Sequence, residues 1–171
     1  FEKPTTNKGE RGQFLEVALG VPNSSDLQDL VDGEIKTFTV GQTIAITQLK
    51  HCLSEIIEDG VSFEDSKVGQ KLKQTLYVGF SKKNEYVGTE VLNEELHPEH
   101  YQELKEDYDF ICNQIRQSFE DETKLETTTG PNGLLQIRTK ASKTNGRYVP
   151  LDFCGVTLKD KGMAFILSGF F

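Results

Sequence analysis

Glu34 and Lys36 are separated by one residue on a segment with the pattern of a β-strand. Alternate residues of a strand point to one face, so the carboxylate and the ammonium lie about 7 Å apart along it. Upstream, Asp26 or Asp29 would bring a second carboxylate to the same point. Two converging carboxylates suit Mg²⁺, which keeps several waters and accepts phosphate oxygens of a substrate. The lysine would orient, or help deprotonate, a water that attacks a phosphodiester.

An ordinary ion pair on a strand surface has the same pattern, so the elements around it matter. Segment 34–40 alternates, is rich in β-branched residues and follows the turn signal Asp32-Gly33, which predicts a strand. Segments 43–47 and 74–80 have similar patterns and predict two more strands. Further upstream, apolar residues recur at helical spacing over 12–19, which predicts a helix that carries Glu16.

The second half of the chain combines a long helix with shorter elements. Over 98–119 the apolar residues recur at helical spacing, which predicts an amphipathic helix with an acidic outer face. A turn is expected at 130–133, a strand over 134–138, and a helix or strand over 162–167. This order of elements predicts an α/β domain with a mixed central sheet flanked by helices.

Length and composition limit the class of protein. The 171 residues, 36% hydrophobic and 27% charged, predict one globular domain, and no apolar run approaches the roughly 18 residues of a membrane span. Three scattered cysteines support neither a disulfide framework nor a zinc site, which predicts free thiols in a reducing cytoplasm. The first residue is Phe1 and the next ones resemble a linker, so we expect a fragment of a longer chain.

Charge is unevenly distributed along the chain. The net charge of −8 by itself argues against a nucleic acid partner. However, residues 85–126 hold thirteen acidic side chains against three basic ones, whereas residues 134–163 hold six basic against two acidic. One surface would therefore repel a polyanion while another attracts it.

Several blocks of sequence resemble one enzyme family. Residues 8–20, KGERGQFLEVALG, followed by a loop and Gly33-Glu34-Ile35-Lys36-Thr37, resemble the opening of the MutH mismatch-repair endonuclease and of related GATC-cutting type II restriction enzymes. Further blocks that are similar to the family are residues 62–73 with 75–77, 104–108, 135–141 and 156–160, in the family's order. The resemblance covers nearly the whole chain and implies the restriction-endonuclease-like PD-(D/E)xK fold over 1–171.

The resemblance also implies roles for individual residues. Glu34 and Lys36 match the catalytic acid and lysine, Glu16 a glutamate at the back of the site, and Lys71 a further active-site lysine. Asp26 matches the first metal-binding aspartate if one residue is inserted, and Asp29 if two are deleted, and we prefer Asp26. Base reading in the major groove falls to Arg138, Thr139 and Lys140, since an arginine there suits guanine O6 and N7.

The resemblance implies a Mg²⁺-dependent type II restriction endonuclease domain that cleaves double-stranded DNA at a short sequence, GATC by analogy. One alternative is a mismatch-repair nickase, but Thr157 stands where those members have an aromatic residue, which favours the restriction branch. Thr139 stands where those members have a proline, so the sequence GATC is taken from the resemblance alone. The other alternative is a DNA-binding module of the same fold without turnover. A second copy on the DNA, or a second domain of the same chain, would complete the assembly.

Overall fold

The computed structural model describes residues 33–140, 143 and 145–168. These residues form a mixed α/β structure, which confirms the predicted class. In chain order the elements are β1 (Glu34–Thr39), β2 (Ile44–Gln48), a 3₁₀ helix (Leu49–His51), α1 (Leu53–Ile57), α2 (Lys67–Lys73), β3 (Thr75–Phe80), β4 (Tyr86–Val91), α3 (Pro98–Glu120), β5 (Thr128–Thr129), β6 (Leu135–Thr139), β7 (Leu151–Phe153), β8 (Val156–Leu158) and β9 (Met163–Leu167).

The strands are divided among three sheets rather than gathered in one. One sheet has the order β1-β3-β4, a second has the order β2-β9-β6-β5, and β7 and β8 form a hairpin. β1 runs parallel to β3, and the other pairs are antiparallel. β1 and β2 follow each other in the chain but do not pair, because a turn closed by Gln42 N–H on the Thr39 carbonyl at 3.0 Å leads the chain from one sheet to the other.

The predicted strands are present with small shifts at their ends. Segments 34–40, 43–47, 74–80 and 134–138 correspond to β1, β2, β3 and β6. Segment 162–167, which the sequence left open between helix and strand, is the strand β9 between β2 and β6. The predicted turn at 130–133 is closed by Gly133 N–H on the Gly130 carbonyl at 3.0 Å. The helix predicted over 12–19 lies outside the described residues.

One main apolar core joins the two larger sheets and the helices. On β1, Phe38 belongs to this core, while Ile35 packs with Val78 and Phe80 in a small cluster on the opposite face of the sheet. Since side chains alternate along a strand, Glu34 and Lys36 lie on the same side of β1 as Phe38. Glu34 and Lys36 therefore lie on the face of β1 that turns toward the main core.

The long helix predicted over 98–119 is confirmed as α3, which begins at Pro98 and ends at Glu120. Its buried stripe recurs every three or four residues and packs against β5, β6 and α1. The stripe consists of Tyr101, Leu104, Asp107, Tyr108, Ile111, Cys112, Ile115 and Phe119. No helix in the described part of the chain combines the length and apolar character needed to cross a membrane.

A glycine allows β1 to begin directly beside β3. Glu34 N–H donates to the Gln74 carbonyl at 2.8 Å, and a Cβ on Gly33 would stand 2.3 Å from that same oxygen. Any larger residue at position 33 would force the two strands apart at this point. The side chain of Glu34 is thus placed by a backbone approach that requires glycine.

Candidate active site

Glu34 and Lys36 form a half-buried ion pair on β1. Lys36 Nζ lies 3.6 Å from Glu34 Oε1, and the side chains are 29% and 22% exposed, respectively. The alternation predicted from the sequence is therefore present, with both groups on one face. Partial exposure leaves the pair accessible to a ligand, while the neighbouring protein reduces its hydration.

The neighbouring strand places a tyrosine behind the carboxylate. In the parallel register, Glu34 lies opposite Thr75 and Lys36 lies opposite Tyr77. Burial raises the pKa of the Tyr77 hydroxyl, and the negative charge of Glu34 raises it further, while a hydrogen bond with Thr75 acts in the opposite direction. Tyr77 is therefore a neutral hydroxyl at physiological pH.

Tyr77 was not among the site residues predicted from the sequence. Its place beside Glu34 follows from the pairing of β1 with β3, which are separated by 35 residues of chain. The one sequence signal for it is the alternation of segment 74–80, which puts Thr75 and Tyr77 on the same face of their strand.

Lys71 is held close to the start of β3 by α2. Its ammonium donates to the Ile46 carbonyl of β2 at 3.4 Å, and its own carbonyl accepts a hydrogen bond from the Thr75 hydroxyl. Thr75 is the residue opposite Glu34. Thr75 thus links the backbone of Lys71 to the position of Glu34. The Lys71 side chain itself is directed at β2.

The predicted base-reading residues lie on the other large sheet. Arg138 and Thr139 end β6, opposite Ala164 and Met163 of β9, and Lys140 N–H donates to the Gly162 carbonyl at 3.0 Å. Arg138 is half-buried, whereas Thr139 and Lys140 are exposed. Their strand β6 shares the main core with β1 through Leu135 and Ile137, but it belongs to a different sheet.

The β7–β8 hairpin follows the base-reading segment in the chain and carries Thr157. This threonine donates its hydroxyl hydrogen bond to Asp152 across the hairpin. Thr157, the residue whose type favours the restriction branch, is therefore exposed, and its hydroxyl is hydrogen-bonded within its own hairpin.

The other carboxylates predicted for the active site lie outside the described residues. These are Asp26 with its alternative Asp29, and the helix residue Glu16. Among described residues, no group of three histidine, cysteine, aspartate or glutamate side chains is arranged to hold a metal ion. The donor that is described, Glu34, is a partly exposed hard oxygen ligand of the kind that Mg²⁺ takes, with access for water.

Comparison with known proteins adds no assignment. No protein-family model matches the chain, and no curated protein sequence is significantly similar to it.

Proposed function

We propose that this chain is a Mg²⁺-dependent DNA endonuclease domain of the restriction type, which hydrolyses phosphodiesters of double-stranded DNA at a short sequence such as GATC. The observation that carries the proposal is the Glu34–Lys36 pair, 3.6 Å apart on one half-exposed face of β1. The ordered blocks of sequence that resemble restriction-type endonucleases, with the PD-(D/E)xK fold they imply, add support.

Each residue of the candidate site has a role in this chemistry. Glu34 would share Mg²⁺ with Asp26 or Asp29, and the ion would offset the negative charge that builds on the phosphate oxygens during hydrolysis. Lys36 orients the attacking water and helps to remove its proton. Tyr77 stands behind Glu34 as a neutral hydroxyl and therefore adds no second negative charge to the site. Lys71, the further active-site lysine that the resemblance implies, would turn from the Ile46 carbonyl to bring a positive charge to the phosphate that is cleaved.

Sequence reading is assigned to the end of β6. Arg138 has the planar donor pair that matches guanine O6 and N7 in the major groove. Lys140, which is exposed, serves a second base or a phosphate, and Thr139 lies between the two. This segment belongs to the part of the chain in which basic residues exceed acidic ones.

The cellular setting follows from the same proposal. The three cysteines are free thiols, which are common in the reducing cytoplasm, where this domain would meet its DNA. Cutting both strands of a duplex would require a second copy of the chain on the DNA or a second domain in the same chain.

Digestion of a plasmid of known sequence tests the proposal. With Mg²⁺, the wild-type chain should cut at discrete sites whose mapped ends share one short sequence. Glu34→Gln should lower the rate by a factor of at least about 100, while Glu85→Gln, at an exposed glutamate, should not change it. Full activity of Glu34→Gln, or no hydrolysis by the wild type, would overturn the proposal.

The same digestion separates the alternatives. A repair nickase would cut the unmethylated strand of a hemimethylated GATC duplex in strong preference to the methylated strand. A module without turnover would bind one sequence specifically and release no ends with any divalent metal. Glu34 and Lys36 are both present and accessible, which argues against that last function.

A further inference from the structure

Two lysines of α2 lie along the segment that joins β2 to α1. Lys67 donates its ammonium to the His51 carbonyl, and Lys71 donates to the Ile46 carbonyl at 3.4 Å. Residues four apart in a helix share a face, so both ammonium groups lie on the side of α2 that contacts β2 and the 3₁₀ helix. Lys50 and His51, both exposed, belong to that 3₁₀ helix.

The resulting cluster is positive although the whole chain is negative. The pKa of His51 is lowered, first by burial and then by the charges of Lys50, Lys67 and Lys71. Among the described residues, Glu55 contacts the cluster, and its carboxylate accepts the Lys67 backbone N–H at 3.0 and 3.3 Å. Three lysine charges thus act on His51, and the phosphates of an added polyanion would reduce the repulsion among them.

The cluster is continuous with the candidate active site. The Lys71 carbonyl accepts the hydroxyl hydrogen bond of Thr75, and Thr75 lies opposite Glu34 in the β1–β3 register. The short helix α2 therefore connects Lys67 and the 3₁₀ helix to β3, the strand that pairs with β1 and its residues Glu34 and Lys36. A polymer that follows α2 away from the catalytic pair would meet this surface.

We propose that Lys50, His51 and Lys67, which we call the α2 strip, bind the phosphate backbone of duplex DNA next to the cleaved phosphate, with Lys71 at the active-site end. The inference rests on the proposed function and adds to it a surface for the flanking DNA. Ammonium contacts to phosphates hold a duplex in register without reading its sequence. The α2 strip thus provides affinity for duplex DNA, while Arg138 and Lys140 provide selection of its sequence.

The test is the salt dependence of duplex binding. A Lys36→Ala background prevents cleavage, and fluorescence anisotropy with a labelled GATC duplex gives the affinity at a series of salt concentrations. Each lost phosphate contact should reduce the slope of log K against log salt by about 0.9. The double substitution Lys50→Gln with Lys67→Gln should therefore reduce the slope by about 2, and Lys67→Arg with Lys50→Arg should restore it.

The matched control is Lys82→Gln with Lys83→Gln, which removes two exposed lysines from the β3–β4 turn. Its slope should equal that of the Lys36→Ala parent, and thermal melting should show all variants folded. An unchanged slope in the strip variant, or an equal reduction in the control, would overturn the proposal that the α2 strip binds DNA, while plasmid cleavage would remain intact. If the strip binds an acidic protein instead of DNA, the slope of the strip variant would be unchanged. Absence of Mg²⁺-dependent cleavage by the wild type would overturn the proposed function, and absence of duplex binding would overturn both.

Discussion

The ammonium of Lys36 lies 3.6 Å from the carboxylate of Glu34, on the face of β1 that turns toward the main core. An ion pair at this separation and with this exposure contributes less than about 1 kcal/mol to stability. The pair therefore is a poor candidate for holding the strand in place. Under the proposed function, its position at the solvent-accessible end of a buried face would let both groups contact a substrate.

Replacement of Lys36 by alanine should separate chemistry from folding. We expect Lys36→Ala to cleave DNA about 10²- to 10⁴-fold more slowly, because under the proposed function this group orients and deprotonates the attacking water. The free energy of unfolding should change by less than about 1 kcal/mol. Single-turnover cleavage, duplex binding and urea denaturation measure the three quantities. Lys83→Ala, at an exposed turn, is the control, and wild-type cleavage by Lys36→Ala would contradict the assignment.

Two lysines of α2 allow a matched comparison. Lys71 is half-buried and contacts Ile46 through a long hydrogen bond, whereas Lys73 is exposed. Lys71→Gln should slow single-turnover cleavage at saturating DNA by about tenfold or more, since charge near the cleaved phosphate is lost. Its effect on unfolding should stay under about 1 kcal/mol because the bond is weak. Lys73→Gln should leave the rate unchanged, and equal rates for the two variants would remove Lys71 from the catalytic group.

Local patterns in the sequence were sufficient for the elements but not for their arrangement. Alternation over 34–40 and the apolar stripe over 98–119 predicted β1 and α3, because burial of one face sets both periods. Segment 162–167 stayed ambiguous because β9 is buried along its whole length and shows no period. The pairing of Glu34 with Thr75 depends on a contact between distant segments, which no local pattern encodes.

The acidic face predicted for α3 is correct for most of its carboxylates and wrong for Asp107. Most acidic residues of the helix are exposed or half-buried, but Asp107 is fully buried. It accepts backbone N–H groups from Asn132 at 2.7 Å, Leu134 at 2.8 Å and Leu135 at 2.9 Å. A count of charges treats Asp107 as a surface residue. Its position three residues after Leu104, on the apolar stripe of the helix, was the sequence signal that it is buried.

Asp107→Asn should therefore destabilise the fold. The amide nitrogen cannot accept a hydrogen bond, so at least one of the three N–H groups, two of which are buried, would lose its acceptor. We expect a loss of about 2 to 4 kcal/mol in the free energy of unfolding, measured by urea denaturation. Asp109→Asn, at an exposed position of the same helix, should stay within about 0.5 kcal/mol of the wild type. Equal stability of the two variants would show that the turn at 130–133 is held by other contacts.

The three thiols should differ in reactivity. Cys52 and Cys112 are buried, and burial is the main reason that the pKa of each is raised to about 12, whereas Cys154 is exposed. At pH 8 we expect one thiol in each folded chain to react rapidly with an aromatic disulfide reagent, and three after unfolding in urea. Cys154→Ser should abolish the rapid reaction. A rapid reaction of two or three thiols in the folded chain would contradict the packing around α1 and α3.

The same burial predicts how stability responds to alkaline pH. The Cys52 and Cys112 thiols ionise near their ordinary pKa of 9.0 in the unfolded chain, whereas burial raises the pKa of each to about 12 in the folded one, so between these values the unfolded state binds fewer protons. Stability is unaffected by these groups below about pH 8 and falls above pH 9, by up to about 1.4 kcal/mol per pH unit for each thiol. Urea denaturation at pH 7.5, 9 and 10 measures the fall. Cys112→Ala should reduce this dependence on pH relative to the wild type, and Cys154→Ser should not, since its thiol is exposed in both states. An identical profile for Cys112→Ala and the wild type would mean that the Cys112 thiol titrates alike in the folded and unfolded chain.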